Sequence, residues 1–148
     1  MFHRIVIAID PDSDGFEHIL EAGREVAQAF GSEVLVAHIR TVERPVAMVA
    51  TAGKPGMAPP LSPMAYDDDV REAIDRAVRE LVGSGLRATG RVESGKGSTA
   101  RELLDIAADF RADLIVVGAQ SSRIADVLLG GVAYRIVHLA ECPVLLVR

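Results

Sequence analysis

The chain has 148 residues, of which 49% are hydrophobic, 25% are charged and 4% are aromatic, and its formal net charge is −5. This length suits one compact domain whose core needs neither a disulfide nor a metal. The acidic balance argues against a nucleic-acid-binding protein, the single cysteine excludes a disulfide framework within the chain, and no apolar run approaches the roughly 18 residues of a membrane span.

Five short apolar runs predict β-strands. In chain order they are Arg4–Ile9, Glu33–Ile39, Leu86–Glu93, Asp113–Gly118 and Pro143–Val147. The first, fourth and fifth are nearly continuous in Val, Ile and Leu, which is typical of parallel strands buried on both faces. The third alternates and contains Gly90, so it predicts an edge strand with one solvated face and the least regular structure of the five.

Four segments with apolar residues at helical spacing lie between these strands. Their stripes are Phe16, Leu20, Gly23, Ala27 and Phe30; Val70, Ala73, Ile74, Ala77, Val78 and Leu81; Leu103, Leu104, Ala107 and Phe110; and Val132, Ile136 and Leu139. Capping boxes are expected at Asp14 with Glu17 and at Thr99 with Glu102. Residues 41–66 are rich in Pro, Gly, Ala and Met and predict a flexible loop near the ligand end of the sheet.

The alternation of strands and helices predicts a doubly wound α/β fold, in which a parallel sheet carries helices on both faces. Ligands of such folds bind beyond the carboxyl ends of the strands, where the strand order reverses. In this sequence those ends are Asp10, Ile39–Arg40, Glu93–Gly95 and Gly118–Ser122. A binding site is therefore expected among these residues.

One glycine pattern lies between the third strand and the third helix. Gly95–Ala100 fits the dinucleotide pattern G-x-G-x-x-G/A, but the next strand ends in Val117–Gln120, without a carboxylate for a ribose hydroxyl. A tight turn before a capped helix is favoured, and a dinucleotide-dependent oxidoreductase is a remote alternative. The overlapping Gly90–Gly97 lacks the hydroxyl residue that a P-loop requires after its lysine, so a P-loop is rejected.

A second glycine pattern, from residue 118 onward, is more informative. Gly118 ends a buried strand, and Gly130 with Gly131 opens the next helix. The two glycine-containing loops are therefore expected to face the same place above the sheet. Glycines there allow backbone N–H groups to approach a phosphate chain, and the helix N-terminus adds a favourable dipole. Such a cradle needs no lysine.

These features resemble the universal stress protein family over essentially the whole chain. The resemblance rests on the segments IVIAID, VLVAHI and DLIVVG, on the glycine pair and on the closing CPVLLVR. It implies a Rossmann-like, adenine nucleotide alpha hydrolase-like fold, with a five-stranded parallel sheet in the order 3-2-1-4-5. It also implies a homodimer paired through Val144, Leu145, Leu146 and Val147. In one branch of the family it implies ATP or another adenine nucleotide, with or without Mg²⁺, at the strand ends.

The resemblance assigns site residues by their position in the family's motifs. Ala8 and Asp10, at the end of the first strand, would belong to the nucleotide site, and Asp10 would lie by the ribose and adenine. Ile39 would offer backbone contacts to the base. The phosphates would be lined on one side by Gly118, Gln120, Ser121 and Ser122, and on the other by Gly130, Gly131 and Val132.

The chain departs from the family's nucleotide-binding motif in three ways. Ser121 stands in place of the second glycine, the spacer to Gly130 has eight residues instead of nine, and Gly131 replaces the final Ser or Thr. The lost hydroxyl removes a charge-assisted hydrogen bond of about 1.5–3 kcal/mol. Two interpretations therefore stay open: a dimeric stress-response regulator that binds an adenine nucleotide, and a structural or interaction dimer of the same fold that binds none.

No pattern of a catalytic or metal site accompanies these residues. The four histidines fall on different predicted elements, and His38 is expected to be a hydrogen-bonded histidine at a strand end. Cys142 follows an acidic residue near a helix C-terminus, which predicts an inert thiol. The sequence therefore predicts a regulatory protein with at most slow incidental ATP hydrolysis. Because the first residues lack the features of a signal peptide, the expected location is the cytoplasm.

Overall fold

The computed structural model describes residues 1–40, 63–119 and 131–148, which form alternating strands and helices. The strands are β1 (Arg4–Ala8), β2 (Glu33–Arg40), β3 (Arg87–Ser94), β4 (Leu114–Gly118) and β5 (Val144–Val147). The helices are α1 (Phe16–Phe30), α2 (Pro63–Gly83), α3 (Thr99–Phe110) and α4 (Gly131–Leu139). All strand pairs are parallel and their order is β3-β2-β1-β4-β5, which confirms the predicted doubly wound sheet.

The sheet separates two apolar cores, because side chains alternate between the two faces of each strand. One core joins β1 and β2 to α1 and α2, and its buried side chains include Ile5, Ile7, Val34, Val36, Leu20, Ile74 and Leu81. The other joins the opposite face to α3 and α4, and its buried side chains include Val6, Leu35, Ile115, Leu103, Ile106 and Ile136. Since α3 and α4 each follow the carboxyl end of a strand, both helices begin at the same edge and on the same face of the sheet.

β3 confirms the predicted edge position, but it is not the least regular strand. Eight consecutive residues of β3 pair with β2, from Arg87 opposite Glu33 onward. Gly90 does not interrupt this pairing, because its missing side chain makes room for α2. A β-carbon at Gly90 would lie 2.7 Å from Ile74 Cγ2 and 3.2 Å from Val78 Cγ2. The glycine is therefore a contact point for a helix and not a break in the strand.

α1 is positioned by two glycines. Gly15 caps its N-terminus in the left-handed conformation, with φ 88° and ψ 13°, and the cap has no side-chain hydrogen bond. The predicted capping box of Asp14 and Glu17 is therefore wrong, because the chain enters the helix through a backbone conformation that glycine adopts without strain. Farther along α1, a β-carbon at Gly23 would overlap the side chain of Ile7, so this glycine lets the helix lie close against β1.

The predicted loop over residues 41–66 lies mostly outside the described residues. The description resumes at Pro63, where α2 begins, so residues 63–66 belong to a helix. The apolar stripe predicted for α2 is confirmed by the burial of Val70, Ala73, Ile74, Ala77 and Leu81. In the described part of the chain, the helices are all too short or too polar to cross a membrane.

Candidate functional site at the carboxyl edge of the sheet

The central strand β1 stops short of its neighbours, which leaves a notch at the carboxyl edge of the sheet. The pairing of β1 with β2 ends at Ala8 opposite Ala37, whereas β2 continues along β3 as far as Arg40. On the other side, Ala8 lies opposite Val117, and β4 continues to Gly118. The notch lies where the strand order reverses, which is the general position of ligands in doubly wound sheets.

Ile39 turns both of its backbone polar groups toward this notch. The Ile9 N–H donates to the Ala37 carbonyl at 3.0 Å, so residues 37 and 39 of β2 direct their polar groups toward β1. The next ladder bond would join the Ile39 N–H to the Ile9 carbonyl, but His38 Nδ1 lies 2.9 Å from that carbonyl instead. The following bond would need an N–H at Pro11, which has none. Among the described residues, neither polar group of Ile39 has a partner, although Ile39 is only 4% exposed.

Asp10 lies exposed at the mouth of the notch, directly after β1. Its Oδ1 accepts a hydrogen bond from the Asp12 N–H at 3.1 Å, and its carbonyl accepts from the Ser13 N–H at 3.0 Å and from the Ser13 hydroxyl at 2.8 Å. These bonds form an Asx-type turn that keeps the carboxylate at the edge of the sheet. Ala8, in contrast, is buried in the core beneath α3 and α4 and contributes to the shape of the notch.

The N-terminus of α4 lies at the same edge. Its first residue, Gly131, is exposed, and a β-carbon there would meet no atom of the described residues within 4 Å. Val132 packs partly against the core beneath α3 and α4. Because the first turn of α4 carries no acidic residue, its N–H groups and dipole favour an anionic ligand. The other predicted phosphate-lining residues on this loop lie outside the described residues: Gln120, Ser121, Ser122 and Gly130.

The turn between β3 and α3 is closed by a carboxylate of the chain itself. Glu102 Oε1 accepts hydrogen bonds from the N–H groups of Lys96 at 2.8 Å and of Gly97 at 2.9 Å. The capping box predicted for Thr99 and Glu102 is wrong, because Ser98 is the N-cap residue and Glu102 reaches the turn before it. A pyrophosphate in this turn would need the same N–H groups. The geometry therefore opposes the dinucleotide interpretation.

Basic side chains lie beside the N-termini of α3 and α4. Arg135 Nη1 donates to Ser98 Oγ at 3.4 Å, which links the two helices, and Lys96 belongs to the adjacent turn. Neither side chain pairs with a carboxylate among the described residues. Arg40, in contrast, pairs with Asp67 of α2. The part of the edge between α3 and α4 thus carries positive charge that is available to an anion.

The described residues contain no group of three or more His, Cys, Asp or Glu side chains that could hold a metal ion. His38 is the hydrogen-bonded strand-end histidine that the sequence predicts, and its Nε2 is buried without a partner among the described residues. Burial, followed by the negative charge of Asp113, raises the pKa of the Cys142 thiol. Its thiol therefore stays protonated at neutral pH, in agreement with the predicted lack of reactivity.

Comparison with known proteins identifies the family. A model of the Universal stress protein family matches residues 1–148. The universal stress protein YxiE of Bacillus subtilis is 27% identical, with 100% of both chains covered. UspA of Lactobacillus plantarum has a TM-score of 0.76 at 18% identity, covering 99% of this chain and 97% of its own. The Archaeoglobus fulgidus universal stress protein in complex with dAMP has a TM-score of 0.70 at 21% identity, covering 99% and 98%.

At these identities the two solved structures show a shared fold alone, whereas the family model extends over the chain from end to end. The strand order is the one expected from the resemblance of the sequence. The chain belongs to the universal stress protein family.

Proposed function

We propose that this protein binds an adenine nucleotide, ATP in the first place and with or without Mg²⁺, in the notch above β1. The observation that carries the proposal is that, among the described residues, neither the N–H nor the C=O of Ile39 has a partner, although Ile39 lies at a buried strand end. Buried backbone groups are nearly always paired, so a ligand that offers an adjacent acceptor and donor would satisfy both. The edge of adenine that carries N1 and the 6-amino group has this pattern.

The surrounding groups suit the rest of a nucleotide. The Asp10 carboxylate lies at the mouth of the notch, where it can accept hydrogen bonds from ribose hydroxyls. The N-terminus of α4 faces the same edge, and the basic side chains of Lys96 and Arg135 add positive charge beside it. A bound nucleotide supplies a base edge, two ribose hydroxyls and an anionic phosphate chain. The Archaeoglobus fulgidus protein in complex with dAMP supports this ligand class.

The proposed output is regulation in a stress response and not turnover. A nucleotide in the notch would connect the ends of β1, β2 and β4 with the start of α4. Its binding energy would therefore stabilise one arrangement of these elements, and that arrangement would alter contacts with a protein partner. At most, slow incidental hydrolysis of ATP is expected, because the residues proposed to line the phosphates include no side chain that would act as a catalytic base.

Titration calorimetry with ATP tests the proposal. Wild-type protein should bind, and Gly118→Val should reduce the affinity below detection, because Gly118 ends β4 beside the notch and a side chain there would keep a phosphate chain from approaching the backbone closely. Gly83→Val is the matched control: Gly83 ends α2, and a β-carbon there meets no atom within 4 Å. An absence of binding at millimolar ATP would favour an interaction protein of the same fold. Equal affinity in Gly118→Val and wild type would exclude this notch as the site.

We also propose that two copies pair through β5. This strand ends the sheet beyond β4, and its four residues are half-buried. Because Ile115 donates to the Pro143 carbonyl and Ala119 donates to the Val147 carbonyl, Val144 turns its backbone polar groups outward. The outer edge of β5 is therefore free among the described residues. A free apolar edge favours association, and pairing about a two-fold axis would cover both copies at once.

Substitutions at Leu146 test this pairing, because its N–H shares the outward direction of Val144. Leu146→Pro removes that N–H while the bonds to β4 remain possible, so this variant should sediment as a monomer. Leu146→Ala keeps the N–H and should remain a dimer. A dimeric Leu146→Pro variant would show that the copies associate through another surface.

A further inference from the structure

We propose that His38 and Pro11 are positioning residues, which keep the N–H and C=O of Ile39 out of the β-sheet ladder and available to a ligand. The part of this inference that concerns the ligand rests on the proposed nucleotide binding. The state of the Ile39 amide, in contrast, is a property of the free protein and can be measured without a nucleotide.

His38 acts on the donor side. Its Nδ1 lies 2.9 Å from the Ile9 carbonyl, and a carbonyl only accepts, so Nδ1 carries the proton. Ile9 is 4% exposed, and its carbonyl therefore needs a donor. In a regular parallel ladder that donor is the Ile39 N–H. The imidazole satisfies the carbonyl in its place, and the ladder between β1 and β2 ends one bond earlier.

The contacts of the His38 ring support a positioning role over a purely packing role. His38 is only 7% exposed, and among the described residues the bond from Nδ1 to the Ile9 carbonyl is the one hydrogen bond that its imidazole ring makes. Nε2 is buried without a partner there, which costs stability. An apolar side chain would fill the same space without that cost. The donor at Nδ1 is the property that such a side chain would lack.

Pro11 acts on the acceptor side. If β1 continued beside β2, the N–H of residue 11 would donate to the Ile39 carbonyl, but proline has no N–H. The chain instead turns at Asp10, whose carbonyl accepts from the Ser13 N–H at 3.0 Å. Both ladder partners of Ile39 are therefore withheld: His38 of β2 occupies the Ile9 carbonyl, and Pro11, after β1, has no N–H.

The result is an adjacent donor and acceptor on one residue, both directed into the notch. Adenine offers the complementary order, with an acceptor at N1 and a donor at the 6-amino group. Hypoxanthine reverses it, with a donor at N1 and an acceptor at O6. The arrangement of Ile39 therefore predicts that the site distinguishes ATP from ITP, and that this distinction depends on His38.

Amide hydrogen exchange of Ile39 in nucleotide-free protein tests the first half of the proposal. His38→Asn keeps a donor in the place of Nδ1, whereas His38→Leu removes it. In wild type and His38→Asn the Ile39 amide should exchange rapidly. In His38→Leu it should exchange at least about tenfold more slowly, because it would then bond to the Ile9 carbonyl. Equal exchange in all three proteins would overturn the role of His38.

The ratio of the ATP and ITP affinities tests the second half. Wild type and His38→Asn should prefer ATP by about tenfold, as expected for one well-placed hydrogen bond, and His38→Leu should lose this preference. Pro11 is only partly buried, in the turn after β1, so Pro11→Ala keeps the test available if His38→Leu fails to fold. It should reduce the preference about threefold through a new N–H near the Ile39 carbonyl.

Amide exchange and nucleotide affinity together distinguish a failure of this inference from a failure of the proposed function. If wild type binds neither nucleotide, the proposed function fails, and the exchange of the Ile39 amide still decides whether His38 positions it. If the exchange rates change as expected and the ATP preference does not, Ile39 is not the contact that reads the base, and that half of the proposal is overturned.

Discussion

The turn before α3 and the first turn of α4 both contain glycines, but among the described residues they differ in the carboxylates that lie near their N–H groups. The turn before α3 fits a known phosphate-binding pattern, yet Glu102 already accepts from Lys96 and Gly97. The start of α4 departs from its family motif, yet it has no acidic residue in its first turn, and a β-carbon at Gly131 would meet no atom of the described residues within 4 Å. A glycine pattern thus indicates a backbone that an anion can approach, and an internal carboxylate decides whether the place is free.

The largest effect expected from a change at these two glycine segments comes from adding a hydroxyl at Gly131, the first residue of α4. Gly131→Ser should tighten ATP binding by about ten- to a hundredfold, because a charge-assisted hydrogen bond contributes about 1.5–3 kcal/mol. Titration calorimetry measures the change. Gly131→Ala is the matched control, since it fills the same space without a donor, and it should bind like wild type. Equal affinities of the Ser and Ala variants would mean that no phosphate oxygen lies near residue 131.

Removal of the carboxylate from the closed turn should have the next largest effect. Glu102→Ala leaves the N–H groups of Lys96 and Gly97 unpaired, so the free energy of unfolding should fall by about 1–3 kcal/mol in urea titrations. Inorganic phosphate should restore part of this loss by occupying the vacated position, with no comparable effect on wild type.

Asp105→Ala is the control for that experiment. Asp105 is an exposed acid on the same helix, and it makes no hydrogen bond or ion pair among the described residues. Its removal changes the net charge equally and should change the free energy of unfolding little. If both variants were equally stable, the hydrogen bonds that Glu102 accepts would not stabilise the turn before α3.

The two turns also show which features could be predicted from the sequence. The sheet order and the buried stripe of α2 follow from periodicity and family resemblance, and both are confirmed. The sequence indicated Glu102 as a capping acid but assigned it the wrong partner, because spacing does not show how far a side chain reaches back. The isolation of Ile39 was missed. Pro11 directly after a strand was a visible signal, but its effect depends on the register between β1 and β2.

The smallest expected effect is a difference in the free energy of unfolding between two alanine variants. It distinguishes a glycine that close packing requires from a glycine that packing does not require. A β-carbon at Gly95, in the closed turn, would lie 3.0 Å from the Arg40 carbonyl oxygen and 3.1 Å from Ile39 Cγ2. Gly95→Ala should therefore lower the free energy of unfolding by about 1 kcal/mol. Gly131→Ala should instead raise it by about 0.4–1 kcal/mol, because alanine restricts the unfolded chain and its β-carbon meets no atom of the described residues within 4 Å.

Urea unfolding of the two alanine variants makes this comparison directly. Opposite signs would mean that packing explains Gly95, whereas Gly131 is retained at a cost in stability. Equal destabilisation would mean that Gly131 also serves packing. Opposite signs combined with unchanged ATP affinity in Gly131→Ala would indicate that the start of α4 needs its N–H groups for binding and not the absence of a side chain at residue 131. The closed turn, in contrast, needs both its glycine and its internal carboxylate.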